Sequence, residues 1–144
     1  MKQNVKSLDA KITRLILIAI AFMSVGLSIE LYLLKHYEGI LQFIPIICVS
    51  LGLILSLILF KFRNTSIQIL FHISLILMVA SGLAGILLHL KANYEFEKEI
   101  RPSINGMDLF MESLSGALPS LAPGSLILLA LIGYTYTLLI KQQQ

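Results

Sequence analysis

The chain reads as an all-α polytopic membrane protein: four antiparallel transmembrane helices, with a short amphipathic helix in the outer loop between spans three and four. Three observations predict this. Apolar runs at 12–34, 40–60, 67–90 and 121–140 are each close to the ~20 residues that cross a bilayer as a helix. Hydrophobic residues make up 57% of the chain and charged residues 13%, against roughly 25% charged in ordinary soluble domains, and the mean hydropathy is +0.88. The connections after the first and second runs are short, which makes consecutive helices antiparallel neighbours. With 144 residues there is room for one domain.

The first span follows Lys2, Lys6, Lys11 and Arg14. A basic start before an apolar run is also what a signal peptide shows. This run, however, exceeds the ~7–15 residues of a signal core, and no small-x-small cleavage site follows it. The expectation is a retained span. Helices in lipid associate through small residues that allow close approach, and each span carries such a stripe: Ala19, Met23, Gly26 and Glu30 on the first; Gln42, Pro45, Val49, Gly52 and Ser56 on the second. Ser74, Met78, Ser81, Gly85 and His89 form the third stripe, and Ala130, Gly133 and Thr137 the fourth. These stripes are expected to form the inner faces of a four-helix bundle. Pro45 falls within the first two turns of the second span, where its missing N–H costs least. Tyr134 and Tyr136 lie where an interfacial aromatic belt would place them. His72, about one turn inside the cytoplasmic end of the third span, is expected to make an interhelical hydrogen bond.

Basic residues orient the spans. With the N-terminus inside, Lys2, Lys6, Lys11, Arg14, Lys61, Arg63 and Lys141 gather on one side. Lys35, Lys91, Lys98 and Arg101 lie on the other, diluted by acids. The positive-inside rule then puts both termini in the cytoplasm of a bacterial inner-membrane protein. The net charge of +3 is spread over helix ends rather than clustered, which argues against a nucleic-acid partner. A single Cys48 excludes an intramolecular disulfide or thiolate cluster.

The outer loop 91–120 holds five of the eight acids. Within it, Asn105-Gly-Met-Asp108 has the form of a helix start. Met107, Phe110, Met111, Leu114 and Leu118 then recur at helical spacing, opposite Asp108, Glu112 and Ser115. An acidic polar face is unlike the Lys/Arg-rich face of helices that bind anionic lipid, so a lid over the outer mouth of the bundle is expected. Gly116 and Pro119 end it, and Pro123 starts the last span.

Polar groups from several spans are expected to meet at this outer level. Ionisable groups at the edge of spans are costly and often functional. The candidate ligand or proton site comprises Glu30, His89, Asn93, Glu95 and Glu97, with the Glu95–Glu99 run read as an extended, solvated segment. His36, His89 and Glu99 are candidate metal ligands, since imidazole and carboxylate suit zinc, manganese or iron, although no tight ligand spacing accompanies them. A haem held by His72 and His89 is excluded by their ~25 Å separation along one helix; His36 with His89 is the alternative pair. No cofactor is specified, and no nucleophile elbow, His-Glu-x-x-His pair or phosphate-binding loop is present.

The stretch from His89 to Tyr136, about one third of the chain, carries His89, Asn93, Glu95-Phe-Glu97, Glu99, Pro102, Gly106, Leu109-Phe110, Leu114, Gly116-Ala117, Pro119 and Leu121-Ala-Pro-Gly124. This pattern resembles a group of small bacterial integral membrane proteins with four predicted spans. The resemblance implies an architecture and a bacterial membrane location, and no activity. Two functions remain: a non-enzymatic accessory or assembly partner of a membrane complex, bound to the bilayer and to a membrane-protein partner or a second copy; or a small-molecule or cation binding or transport protein using the outer Glu/His cluster.

Overall fold

A computed structural model describes the backbone of residues 2–143 and the side chains of residues 8–143. Lys2 and Lys6, which contribute to the orientation argument, therefore have side chains outside the described residues. The described residues form helices and no strands: α1 Lys2–Leu33, α2 Ile40–Lys61, α3 Thr65–Ile100, α4 Gly106–Leu114 and α5 Gly124–Gln142. All but α4 are long and apolar enough to cross a membrane.

These four long helices form a bundle. α1 packs against α2 and α5, and α3 packs against the same two, while α2 and α5 meet across the middle. At one end of the bundle Arg63 donates to Gln143 Oε1 at 2.9 Å, and Gln143 Nε2 donates to Thr13 Oγ1 at 2.7 Å. That pair of bonds joins the α2–α3 turn, the end of α5 and the first turns of α1.

Most of the small-residue stripes are used as expected. Val49, Gly52 and Ser56 are buried on α2, Ser74 and Met78 on α3, and Ala130, Gly133 and Thr137 on α5. At the α3–α5 crossing a methyl on Gly82 would stand 2.9 Å from the Pro123 carbonyl, and one on Gly133 would stand 2.6 Å from Leu75 Cδ2. Such approaches need glycine because neither backbone nor packed side chain has room for a Cβ.

The first stripe differs. α1 buries Thr13, Ile20 and Ser24 and packs Ile16, Leu17, Met23 and Leu27 against the core, whereas Gly26 and Glu30 are exposed. Larger apolar side chains on the neighbouring face bury more area than the Gly26 face offers, and this decides which side turns in. Tyr136 also departs from expectation. It is fully buried, packs edge-on against Phe71 with ring centres 6.3 Å apart, and donates its hydroxyl to the Ser56 carbonyl at 3.3 Å. Only Tyr134 remains exposed. His72 Nε2 lies 3.1 Å from Thr137 Oγ1, whose own proton goes to the Tyr134 carbonyl at 2.7 Å. His72 is therefore the donor of an α3–α5 hydrogen bond.

α3 continues well past the apolar run that begins it. Its 36 residues span ~54 Å at 1.5 Å per residue, well beyond the ~30 Å hydrocarbon thickness of a bilayer. The Glu95–Glu99 run is helix rather than the extended, solvated segment expected. Lys91 pairs with Glu95, and Glu97 with Arg101, at helical i,i+4 spacing, which favours continued helix. Pro102 then stops it.

A polar latch at the His89 end of the bundle

Continuous helix sorts the polar residues at this end of α3 onto separate faces. His89, Asn93 and Glu97 recur at i, i+4 and i+8 and face the α4–α5 region; Lys91, Glu95 and Glu99 fall on another face. In an extended segment Glu95, Glu97 and Glu99 would have shared one side. The helix divides them.

Asn93 is the centre of the site and is almost completely buried. Its Nδ2 lies 2.9 Å from the Ser113 carbonyl, 2.7 Å from the Leu118 carbonyl and 2.9 Å from Ser120 Oγ. Its Oδ1 accepts from the Leu118 amide at 3.0 Å. Two amide protons are thus shared among three acceptors. Ser120 Oγ in turn donates to the Ser113 carbonyl at 3.0 Å. One α3 side chain thereby does for the end of α4 what backbone pairing would do in a regular element, satisfying buried donors and acceptors of an irregular turn. Gly116 is part of the fit: a Cβ there would stand 2.6 Å from Asn93 Cγ.

Two further contacts secure the same region. His89 Nδ1 lies 3.1 Å from the Pro119 carbonyl; a carbonyl only accepts, so Nδ1 carries a proton. Arg101 pairs with Glu97 on α3 and with Glu112 on α4, the latter at 3.3 Å. Both acids hold the guanidinium further above its already high range through direct hydrogen bonds. Lys98 donates to the Ile104 carbonyl and to Asn105 Oδ1, each at 2.7 Å. Asn105 is thereby drawn away from capping α4, and it makes no cap hydrogen bond. Gly106, at the first position of α4, takes φ +62°, a conformation only glycine adopts readily.

Opposite His89 stands His36, with ring centres 6.3 Å apart in an edge-to-face arrangement. His36 is brought there by the α1 C-terminus: Lys35 takes φ 53° and the His36 amide bonds back to the Leu31 carbonyl at 2.8 Å, the six-to-one bond of a Schellman ending. Partial burial, and then the neighbouring His89 ring, push the His36 pKa below its usual 6.5. Gln42 is an N-terminal clamp on α2; its Oε1 accepts from the Glu38 and Gly39 amides, both at 3.0 Å.

Of the candidate ligand residues, the structure brings His89 and Asn93 to the α4–α5 turn and joins Glu97 to Arg101. It leaves Glu95 at the surface beside Lys91 at 3.6 Å, and Glu30 exposed on α1. Of the metal candidates, His36 and His89 are adjacent and Glu99 is exposed on α3. No group of three or more His, Cys, Asp or Glu side chains among the described residues is placed to hold a metal ion. The Asn93 latch escaped the sequence reading in its structural role, although Asn93, Gly116 and Ser120 were visible as polar or small residues in an otherwise greasy neighbourhood.

The expected lid is also placed differently. α4 packs on α3 and on no other helix among the described residues, so it lies alongside α3 rather than across the bundle. It turns Leu109 and Ser113 inward and leaves Met107, Phe110 and Met111 exposed. The hydrogen bonds at Ser113 choose this face over the apolar one. Two open grooves flank the α3–α4 contact. One is lined by Leu87, Leu90, Lys91, Tyr94, Leu109 and Phe110. The other is lined by Arg101, Ser103, Asp108, Met111, Glu112 and Ser115.

Together, bundle and latch define an all-α protein with four helices able to cross a membrane. Comparisons with protein-family models, with curated proteins and with solved structures returned no match. The resemblance over His89–Tyr136 rests on its motifs alone.

Proposed function

We propose that this protein is a small, non-enzymatic, multi-pass protein of the bacterial inner membrane, with four antiparallel spans and both termini cytoplasmic, acting as an accessory or assembly partner of a membrane complex. The observation that carries this reading is the α1 surface around Gly26 and Glu30. A Cβ on Gly26 would meet nothing within 4 Å, and Glu30 has no ion-pair partner among the described residues. Gly52, Gly82, Gly85 and Gly133 by contrast sit against a neighbouring helix or its N-cap residue. On α1 the same kind of surface is open, as a second helix arriving from a partner would require. The polar groups at the His89 end support the reading from the other side, because Asn93, Glu97, Lys98 and Arg101 are committed to holding the chain's own turns.

Purification in mild detergent at native expression, followed by mass spectrometry, tests it. A partner protein should accompany the wild type and be lost from a Gly26→Leu/Glu30→Gln variant whose thermal midpoint is unchanged. A protein that purifies alone, or a variant that keeps its partner, overturns the reading.

The second reading, a cation or small-molecule site, is favoured by the His36–His89 pair, in which His89 Nε2 has no hydrogen-bond partner among the described residues. Zinc or manganese should then raise the thermal midpoint of the wild type and leave a His89→Ala variant unmoved. Equal shifts, or none, dispose of it.

A further inference from the structure

The two grooves beside α4 differ in chemistry, and that difference has a direction. Taking ~100° per residue from Leu109, which faces α3, Phe110, Met107 and Met111 fill an arc of ~100–200°. Asp108 and Glu112 lie at ~260–300° on the other side. α4 therefore has three faces: one packed on α3, one apolar and free, one acidic. Met107 is 71% exposed and Phe110 48%. The apolar groove lies on the Phe110 side; the charged groove lies on the Asp108 side.

The apolar groove continues the outward surface of α3. Leu83 and Leu87, four residues apart and so on one face of α3, are exposed large hydrophobics, and Leu87 is also a wall of the groove. That surface runs without a break from the apolar length of α3 into the cleft under Phe110. At the rim stand Lys91 and Tyr94, the side-chain types that keep an apolar body in lipid and a polar tip in water.

We propose that acyl chains of the surrounding bilayer fill this groove, so that α4 lies at the headgroup–acyl boundary as an interfacial anchor, Phe110 and Met107 toward lipid and Asp108 and Glu112 toward water. The proposal rests on the transmembrane reading of the bundle. Because the polar face is acidic, the attachment draws on apolar burial rather than on attraction to anionic lipid, and zwitterionic lipid suffices.

The chain contains no tryptophan, so a single introduced indole reports its own surroundings. Full-length Phe110→Trp, Asp108→Trp and, on α5, Leu131→Trp variants would be reconstituted in phosphatidylcholine vesicles with and without brominated acyl chains. Leu131, 58% exposed in the middle of α5, serves as the control for the bilayer reading. Bromolipid should quench Phe110→Trp at least two-fold, with little quenching by aqueous iodide; Asp108→Trp should show the reverse. Met107→Trp carries the same expectation as Phe110→Trp and replaces it if that variant fails to fold. Quenching of Leu131→Trp by bromolipid, with Phe110→Trp quenched only by iodide, overturns the anchor and leaves the bundle in the membrane. Protection of Phe110→Trp from both quenchers also overturns it, since a second copy or another protein would then cover the groove. A Leu131→Trp variant untouched by bromolipid overturns the transmembrane reading itself.

Discussion

A single amide side chain ties α3 to the end of α4 and to the turn that leads into α5. Asn93 supplies donors and an acceptor at once, which neither Asp nor Leu can do at the same size. Replacing it with Asp keeps the shape but aims a carboxylate at the Ser113 and Leu118 carbonyls. Leaving such buried groups unpaired costs about 1–3 kcal/mol. Asn93→Asp keeps the acceptor for the Leu118 amide but loses the donors to both carbonyls, so it should lower the thermal midpoint; an unchanged midpoint would contradict the latch. His36 adds a pH dependence of known sign. Its folded-state pKa lies below the usual 6.5, so between those values the unfolded chain binds more protons. Stability then falls as pH drops through 6.5 toward the folded value. A His36→Gln variant should lose less stability than wild type between pH 7.5 and 5.5. Parallel losses would show that neither its partial burial nor the neighbouring His89 ring shifts His36.

At the level of elements, the glycines separate helix crossings from open surface. A methyl on Gly82 meets the Pro123 carbonyl at 2.9 Å and Ile127 Cγ1 at 2.8 Å. The carbonyl is backbone, so α3 and α5 must move apart, and overpacking of this kind costs about 1–3 kcal/mol. A methyl on Gly26 meets nothing and should be neutral or stabilise α1 by up to about 1 kcal/mol through helix propensity. Gly82→Ala and Gly26→Ala should thus shift the thermal midpoint in different directions, or one strongly and the other hardly at all. Equal shifts would mean that α3 and α5 have room for a methyl at this crossing. The ion pairs are a lesser matter: Lys91–Glu95 and Arg101–Glu97 continue α3 past its apolar run, and solvent-exposed charges of this kind add little to stability.

For the whole molecule the informative quantity is which side of the membrane each end occupies. Outward side chains such as Phe22, Ile40 and Leu131 are exposed along the length of the bundle, which suits a lipid solvent. The proposed orientation puts the α3–α4 hairpin outside. In a Cys48→Ser background, a Ser103→Cys variant should then react with an impermeant maleimide in intact cells, and a Gln143→Cys variant only after permeabilisation. The opposite pattern would invert the topology and remove the outer location of the latch.

Composition and apolar periodicity were enough for the helical class, the four long apolar helices and most crossing residues, because in a small bundle short connections and small residues leave few ways to pack. Gly52, Gly133 and Thr137 were legible in that way, and so was the hydrogen bond from His72. The helical course of 91–100 was legible in principle, in the i,i+4 pairs Lys91–Glu95 and Glu97–Arg101, but an alternating Glu-x-Glu-x-Glu run favours the extended reading until the pairs are counted. What no local pattern contains is which face of α1 and of α4 turns inward, or that Tyr136 is buried. Those outcomes depend on partners distant in sequence: Ile20 and Ser24 against the bundle, Ser113 against Asn93, the Tyr136 hydroxyl against Ser56. Each is a competition between two acceptable faces of one helix, and only the assembled neighbours supply the buried area and hydrogen bonds that separate them.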